Sequence, residues 1–547
     1  MIDMKLLPPA RAEASVSASS DPMCRGLSRR EVATNMINVC WVQEAGELAE
    51  WGFPLARELL ARGVKVRFAL KLRATQQAAE RWDCAWVFVP SETYHGPSLS
   101  REELLRLDRH YGPPCMAALA QSNSQFDWLR LPLGERIQIV ARHYRFWERY
   151  LDEHPTDFVF FTTLGTVESR TLYNAARARG IPYFQFSIGP APGTFTMNDV
   201  GETLCWQELL DGLAQGVREL SPEEMRTVRA VVEDASTRPQ EKVAPNTRWA
   251  PASRRLWWAF VKEEVAGVYR TAQARIHWKD YPIRALQGYA EWSQDPVSVA
   301  VRRQISRLRK EQLRWKHWTS RFFSYDRPVP GEPFVYFPLF HYYEGTTLAV
   351  SAYWARNALS LVSHVASLLP EGYQLYVKEH PIHLGQRWTK ELRELKRHPR
   401  IRVIDPTHPG RNLVQDSSAV LVVEGTSGWE ALLNRKPLVV LGSRFYARCS
   451  LAYLVRRVEE LEDALWAAIR DGGRIYDERA KEWLWFIWCA VSTSGQGMLQ
   501  PVQYPYVVPT DQQNLAIVAD SVVAKVRRVL AAQTRLADRE EPHCHAC

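Results

Sequence analysis

Two short stretches of this sequence bring together residue types that can hold an anion. In the first, Lys378-Glu379-His380-Pro381 closes the apolar run Leu375-Tyr376-Val377. A proline ends a strand and fixes the turn, which aims the preceding imidazole at the strand's carboxyl edge. There His380 can donate to a phosphate oxygen or protonate a leaving group. Lys378, two residues earlier, lies on the same strand face and adds positive charge. In the second, Glu424-Gly425-Thr426-Ser427-Gly428 follows the run Ala419–Val423. Gly425 and Gly428 relax the backbone where strand turns to helix. Thr426 and Ser427 read as hydroxyl caps of a helix beginning near Trp429. Free N–H groups at such a helix end form an anion site, and a nucleotide phosphate is the natural guest. Glu430, in the first turn of that helix, is placed to accept from ribose hydroxyls. A capped helix without a ligand accounts for Gly-Thr-Ser-Gly by itself. His380 and Lys378 at a second strand end are harder to explain as packing. Glu344, after the run Phe334–Phe340, is a further carboxylate at a strand end, either a base or substrate-orienting group or a solvated acid.

The elements that must position these groups are legible. Between 333 and 446, short β-branched apolar runs alternate with helical patterns, the signature of βαβ units feeding a parallel sheet. Ligands of such sheets bind beyond the strands' carboxyl ends, where both clusters fall. An equivalent alternation opens the chain. Met36–Val42 reads as a strand, Leu48–Arg62 as an amphipathic helix closed by Gly63, and Val64–Leu70 as a second strand. Asp157–Thr163, a helix over Ser169–Arg179, and Ile181–Ser187 extend the pattern. No G-x-G-x-x-G follows the first strand, so no nucleotide is assigned to this half. Glu44 and Glu47, on the first loop, are further candidates for a base. The glycine-bearing loop Ile188–Gly193 reads as a tight turn, with acceptor binding as the alternative.

Four strings in order, FPLFHYYE (337–344), YVKEHP (376–381), EGTSGWEAL (424–432) and KPLVVLG..FY (436–446), resemble the capsule polysaccharide synthesis proteins. That family is related to bacterial transferases of 3-deoxy-manno-octulosonic acid (Kdo) and has a GT-B fold. The resemblance implies an α/β, GT-B-like chain with two Rossmann-like domains facing a cleft. It implies that His380 contacts the phosphate of a CMP-sugar, that Thr426 and Ser427 bind it from the other side, and that Glu430 meets the ribose. The backbone after Asp405-Pro406 would meet the base, and Glu344 matches a family position. Two departures stand out: Glu424 replaces the Thr or small residue of many relatives, and Tyr343 stands where a Pro often precedes the Glu.

Length and composition bound the reading. A chain of 547 residues exceeds one ordinary core. The expected organisation is a tail over 1–34, an acceptor domain over 35–245, a basic aromatic helical segment over 246–328, a nucleotide-sugar domain over 329–500, and a helix with tail over 501–547. The formal charge is +9, and its distribution explains it. Residues 248–327 hold seventeen Lys and Arg against seven Asp and Glu, with seven Trp. Such a segment suits an anionic membrane surface or a polyanionic glycan. A helical insertion with its Trp packed inward is the plain alternative. No nucleic-acid module is recognisable, so nucleic acid is not an expected partner. Nine Cys are scattered without a disulfide framework, which fits a reducing cytoplasm. Met1–Asn35 lacks the apolar core of a signal peptide. The longest apolar run, Trp483–Val491, is far shorter than the roughly 20 residues of a membrane span. His543-Cys544-His545-Ala546-Cys547 is a weak zinc pattern, and no Asp-x-Asp motif stands at a strand end, so neither a metal nor a cofactor is expected.

The expected activity is a glycosyltransferase drawing on a nucleotide sugar, CMP-linked and Kdo-like, with a glycan or glycolipid acceptor, in surface or capsular polysaccharide synthesis. It would act in the cytoplasm or peripherally on the membrane's inner face. The alternatives are a non-catalytic GT-B scaffold of a capsule assembly or export complex, a nucleotide-sugar epimerase, or a polyol-phosphate transferase.

Overall fold

Strand β1 (Ile37–Gln43) is buried on both faces. Val39 and Trp41 pack into one apolar cluster, Cys40 and Val42 into another. Two-sided burial of this kind belongs to parallel sheets with helices on each face. In the computed structural model the described residues are 36–43, 49–70, 76, 79–89, 92–112, 115–120, 132–162, 164–199, 205–237, 325–340, 354, 358–379, 389–406, 408–497 and 512–540. Two units divide between Met36 and Ile37, and everything below concerns Ile37–Cys547.

The first half continues as α1 (Ala49–Leu60), β2 (Val64–Leu70), β3 (Ala85–Phe88), α2 (Glu92–His95), α3 (Arg101–Tyr111), α4 (Met116–Leu119), α5 (Leu133–Glu153), β4 (Phe158–Phe161), α6 (Val167–Ala178), β5 (Tyr183–Ile188), β6 (Thr194–Asn198), α7 (Gln207–Ala214) and α8 (Pro222–Thr237). The second half runs β7 (Phe334–Leu339), α9 (Ala358–Leu368), β8 (Gln374–Glu379), α10 (Thr389–Lys396), β9 (Ile401–Ile404), α11 (Gly410–Asp416), β10 (Ala419–Val422), α12 (Thr426–Leu433), β11 (Leu438–Val440), β12 (Tyr453–Leu454), α13 (Leu461–Asp471), α14 (Ile475–Glu478), α15 (Ala480–Ser492), β13 (Gly495–Gln496) and α16 (Gln512–Glu540).

Two sheets result. The first has the order β13-β6-β5-β4-β1-β2-β3, parallel except for β6, which runs antiparallel to both β5 and β13. The second, β12-β11-β10-β7-β8-β9, is parallel throughout. In each the chain starts mid-sheet, builds outward one way, then returns to build the other way. The Rossmann-like α/β class expected from the sequence is therefore present twice, each time with a topological switch point. In the second sheet that point lies between β7 and β10.

Four strands lie outside the sequence reading: β3, β6, β12 and β13. Thr194–Asn198 is five residues behind a Gly-Pro loop, too short for periodicity to speak, and its antiparallel pairing with β5 holds it extended. α7 and α8 pack away from the first sheet. Trp206, Leu209, Val228 and Val231 share one core with Trp429, Leu432, Trp483 and Phe486 of the second half. The apolar run Trp483–Val491 lies within α15, where Trp483, Trp485, Phe486 and Ile487 are buried. After α15 the chain crosses back, β13 pairs with β6, and α16 packs Leu515, Val518, Val522 and Val526 under the first sheet. Among the described residues no helix is long and apolar enough to cross a membrane.

Candidate functional site

The switch point between β7 and β10 marks where a ligand of the second sheet would sit, and the residues after β10 are Val423, Glu424 and Gly425. Gly425 has φ 111° and ψ 171°, a region essentially closed to residues with a Cβ. That turn lets α12 begin at Thr426. Here the structure corrects the expectation. The helix starts three residues earlier than Trp429, Gly425 is its N-cap, and no side-chain cap bond is made. Thr426, exposed, and Ser427, half-buried, lie in the first turn rather than ahead of it, and Glu430 lies beyond that turn. The first-turn N–H groups are thus left by the cap residue as donors for an anion.

Gly428 also has a different reason from the one expected. It is inside the helix, and a Cβ there would meet the Tyr446 ring at 2.6 Å. Tyr446 is buried, and its hydroxyl donates to the Gly425 carbonyl at 3.0 Å. The tyrosine therefore holds the turn from below and needs a bare backbone above it. Gly428→Ala is expected to cost about 1–3 kcal/mol through overpacking. Urea unfolding checks the value, and Gly428→Ala combined with Tyr446→Leu should recover part of it; no recovery would mean the ring is not the obstacle.

A buried polar group of residues lies beside this turn. Lys378, at 6 % exposure, donates from Nζ to the Pro406 carbonyl at 3.2 Å. Burial pushes its ammonium down to about 8, against the attraction of Asp405, Glu430 and Glu379. Burial pushes the Glu430 carboxyl up, against Arg411 and Lys378. His408 is pushed down by burial and by Lys378. Tyr336 on β7 is raised by burial and by Glu430. Glu379 is buried and accepts from the Tyr325 hydroxyl at 3.4 Å. Glu424, also buried, has Arg444 Nε 3.9 Å from its Oε2, so the acid beside the turn is paired with a cation.

The turn is tied to the first half of the chain. Trp429 Nε1 donates to the Pro190 carbonyl at 2.8 Å, inside the glycine-bearing loop singled out above. Phe445 lies between Trp429 and Trp206, with ring centroids 5.3 and 5.2 Å away. In that loop Thr194 Oγ1 donates to the Ala191 carbonyl at 2.7 Å, so it is a tight turn.

Of the predicted site residues, Lys378, Gly425, Thr426, Ser427, Gly428 and Glu430 fall on β8 and on the β10–α12 turn and helix. Lys378 and Glu430 are brought within electrostatic reach of each other. His380 and Glu344 lie outside the described residues, as do Glu44, Glu47, the tail 1–35, residues 238–324 of the linker and basic segment, and the His/Cys end. Among the described residues no cluster of His, Cys, Asp and Glu could hold a metal. Sequence reasoning missed Tyr336, Arg411, Arg444 and Tyr446. Tyr446 ends the string KPLVVLG..FY and Arg444 falls within it, so the string held a signal for both. Arg411 and Tyr336 had none.

Comparison with known proteins was informative over one segment. Residues 354–456 match the family model described as "Capsule polysaccharide biosynthesis protein". No curated protein matches the chain. Among solved structures, a KpsC beta Kdo 2,7 transferase from Thermosulfurimonas dismutans is similar at 13 % identity and a TM-score of 0.31, over 59 % of this chain and 79 % of that one. The beta Kdo 2,4 transferase of the same organism's KpsC matches at 17 % identity and 0.31, over 57 % and 79 %. The UDP-GlcNAc 2-epimerase of Neisseria meningitidis matches at 11 % and 0.28, over 90 % and 100 %. The matched residues, 354–456, run from Trp354 through the Gly425–Gly428 turn to β12 and are similar to the capsule polysaccharide biosynthesis family.

Proposed function

We propose that this chain is a glycosyltransferase of capsular or surface polysaccharide synthesis that takes its sugar from a nucleotide donor. The observation that carries the reading is the Gly425 turn. It sits at the switch point of a parallel sheet, starts α12 with no side-chain cap, and lies in the segment that matches the capsule family.

In this reading the donor's phosphate rests on the first turn of α12, against the backbone of Gly425 and Gly428 and the hydroxyls of Thr426 and Ser427. His380, one residue past β8, reaches it from the strand beyond β7. Lys378 adds positive potential from beneath. Glu430 meets the ribose, and Glu344, after β7, is the first candidate for the base that activates the acceptor hydroxyl. Helix dipole and cations then stabilise the departing phosphate. The first half holds a glycan or glycolipid acceptor. A CMP-linked, Kdo-like sugar is favoured by the motif resemblance, and the basic aromatic segment suits a peripheral position on an anionic membrane face in the cytoplasm.

A non-catalytic scaffold is favoured by one observation, the buried Glu424 beside the proposed anion. Arg444, beside that acid, weakens the objection. Thermal melting with nucleotide distinguishes the two readings. CMP at 100 times its Kd should stabilise the wild type by about 2.7 kcal/mol, and His380→Ala should shift far less. No shift with CMP, CDP, UDP or GDP would favour the scaffold.

A further inference from the structure

Lys378 is held in a way that a simple phosphate ligand would not need. Its Nζ points its hydrogen bond at the Pro406 carbonyl, in the turn after β9 that the His408 N–H closes onto the Asp405 carbonyl at 2.9 Å. α11 starts just beyond, and a Cβ on Gly410 would lie 3.7 Å from Lys378 Cε and 3.5 Å from the Tyr336 hydroxyl. Groups from four parts of the sheet edge therefore lie around one ammonium: Tyr336 from β7, Glu379 from β8 itself, Asp405 and His408 from the β9–α11 connection, and Glu430 from α12. Asp405, Glu379 and Glu430 attract it, and the same burial that lowers the ammonium keeps the His408 imidazole neutral.

We propose that Lys378 is a positioning residue for nucleotide binding: its ammonium ties the end of β8 to the Pro406 carbonyl and the start of α11, within electrostatic reach of Glu430 of α12, and so sets the edge that faces the base relative to the helix that holds the phosphate and ribose. The inference rests on the nucleotide-donor reading above and adds a role to a residue that the sequence suggests only as a phosphate contact. The chemistry follows from the donor count. An ammonium has three N–H donors, one of which serves the Pro406 carbonyl, while its charge offsets the carboxylates nearby. A neutral amine is a weaker donor and no longer offsets Glu430. Burial has already brought the ammonium within reach of mild alkali. The sign is then fixed. Nucleotide binding draws on the charged form, so affinity is level below about pH 8 and falls above it as the free protein loses this proton.

The test is CMP binding by calorimetry between pH 7 and pH 9.5, a range in which the nucleotide's own phosphate no longer titrates. Wild-type affinity is expected to be level to about pH 8 and to fall roughly tenfold by pH 9.5. Lys378→Met should bind roughly tenfold more weakly at pH 7 and show no slope. Lys378→Arg, whose charge cannot be removed in this range, should show no slope either. Melting curves without ligand establish that both variants are folded, and a purely structural lysine would lower the melting temperature while leaving the wild-type slope in the variants. Wild-type binding that stays level to pH 9.5, or a Lys378→Met variant that keeps the slope, overturns the inference and leaves the nucleotide reading intact. Failure of CMP, CDP, UDP and GDP to bind at pH 7 overturns both.

Discussion

Lys525→Met is expected to destabilise the first sheet by about 3–5 kcal/mol, the cost of stranding buried carboxylates without their cation. Lys525 lies on α16, close to the end of the sequence, and only 5 % of it is exposed. Its Nζ donates to the Met197 carbonyl at 2.7 Å and to Glu208 Oε2 at 2.6 Å, with Asp199 Oδ2 at 3.4 Å and the Phe184 ring centroid at 4.8 Å. One ammonium therefore fastens α16, the end of β6 and the start of α7. Methionine fills the space and removes the charge, and Arg528, 3.2 Å from Glu208, offsets only part of the loss. The pH dependence gives a second readout. Burial pushes the Asp199 carboxyl up against the pull of Lys525, so this acid protonates sooner than an exposed one as pH falls. Protonation removes the stranded charge, so the variant's deficit should be full at pH 7–8 and narrow toward pH 5. Native-state hydrogen exchange of β6 and α16 measures the opening free energy. A loss under about 1 kcal/mol would show that the triad is not what holds the helix.

His380→Ala is expected to lower turnover about 10²–10³-fold, the scale for removing one group that stabilises developing charge. Proton transfer to the leaving group would be of similar or larger size. β8 ends at Glu379, and its neighbour β7 borders β10, whose following turn starts α12. His380 follows β8 in sequence, and the Gly425 turn follows β10, two strands away in the same sheet. The measurement is acceptor-dependent release of CMP from CMP-linked sugars, with the unliganded melting temperature unchanged. A decrease below about fivefold would remove His380 from the chemistry. CMP release that needs no acceptor would instead indicate a hydrolase.

Trp429 shows why the two halves are hard to separate in function. Its indole N–H donates to the Pro190 carbonyl while its helix carries Thr426 and Ser427, so one side chain joins the Gly425 turn to the loop before β6. Nothing local in Gly-Trp-Glu marks this, because the partner carbonyl is far away in the chain.

The sequence by itself determined the alternation of strands and helices, the parallel core of both sheets, and the strand end at which Lys378 lies and the turn at Gly425. Those features follow from local runs buried on two faces and from backbone torsions that only proline or glycine relieves. Tertiary structure alone decided why Gly428 has no side chain, where α12 begins, what Lys378 holds, which half α7 and α8 pack against, and how α16 is anchored. Each of these depends on a partner distant in sequence, Tyr446, Pro406, Trp483 or Glu208, and periodicity carries no information about which distant residue will fill a gap or balance a charge.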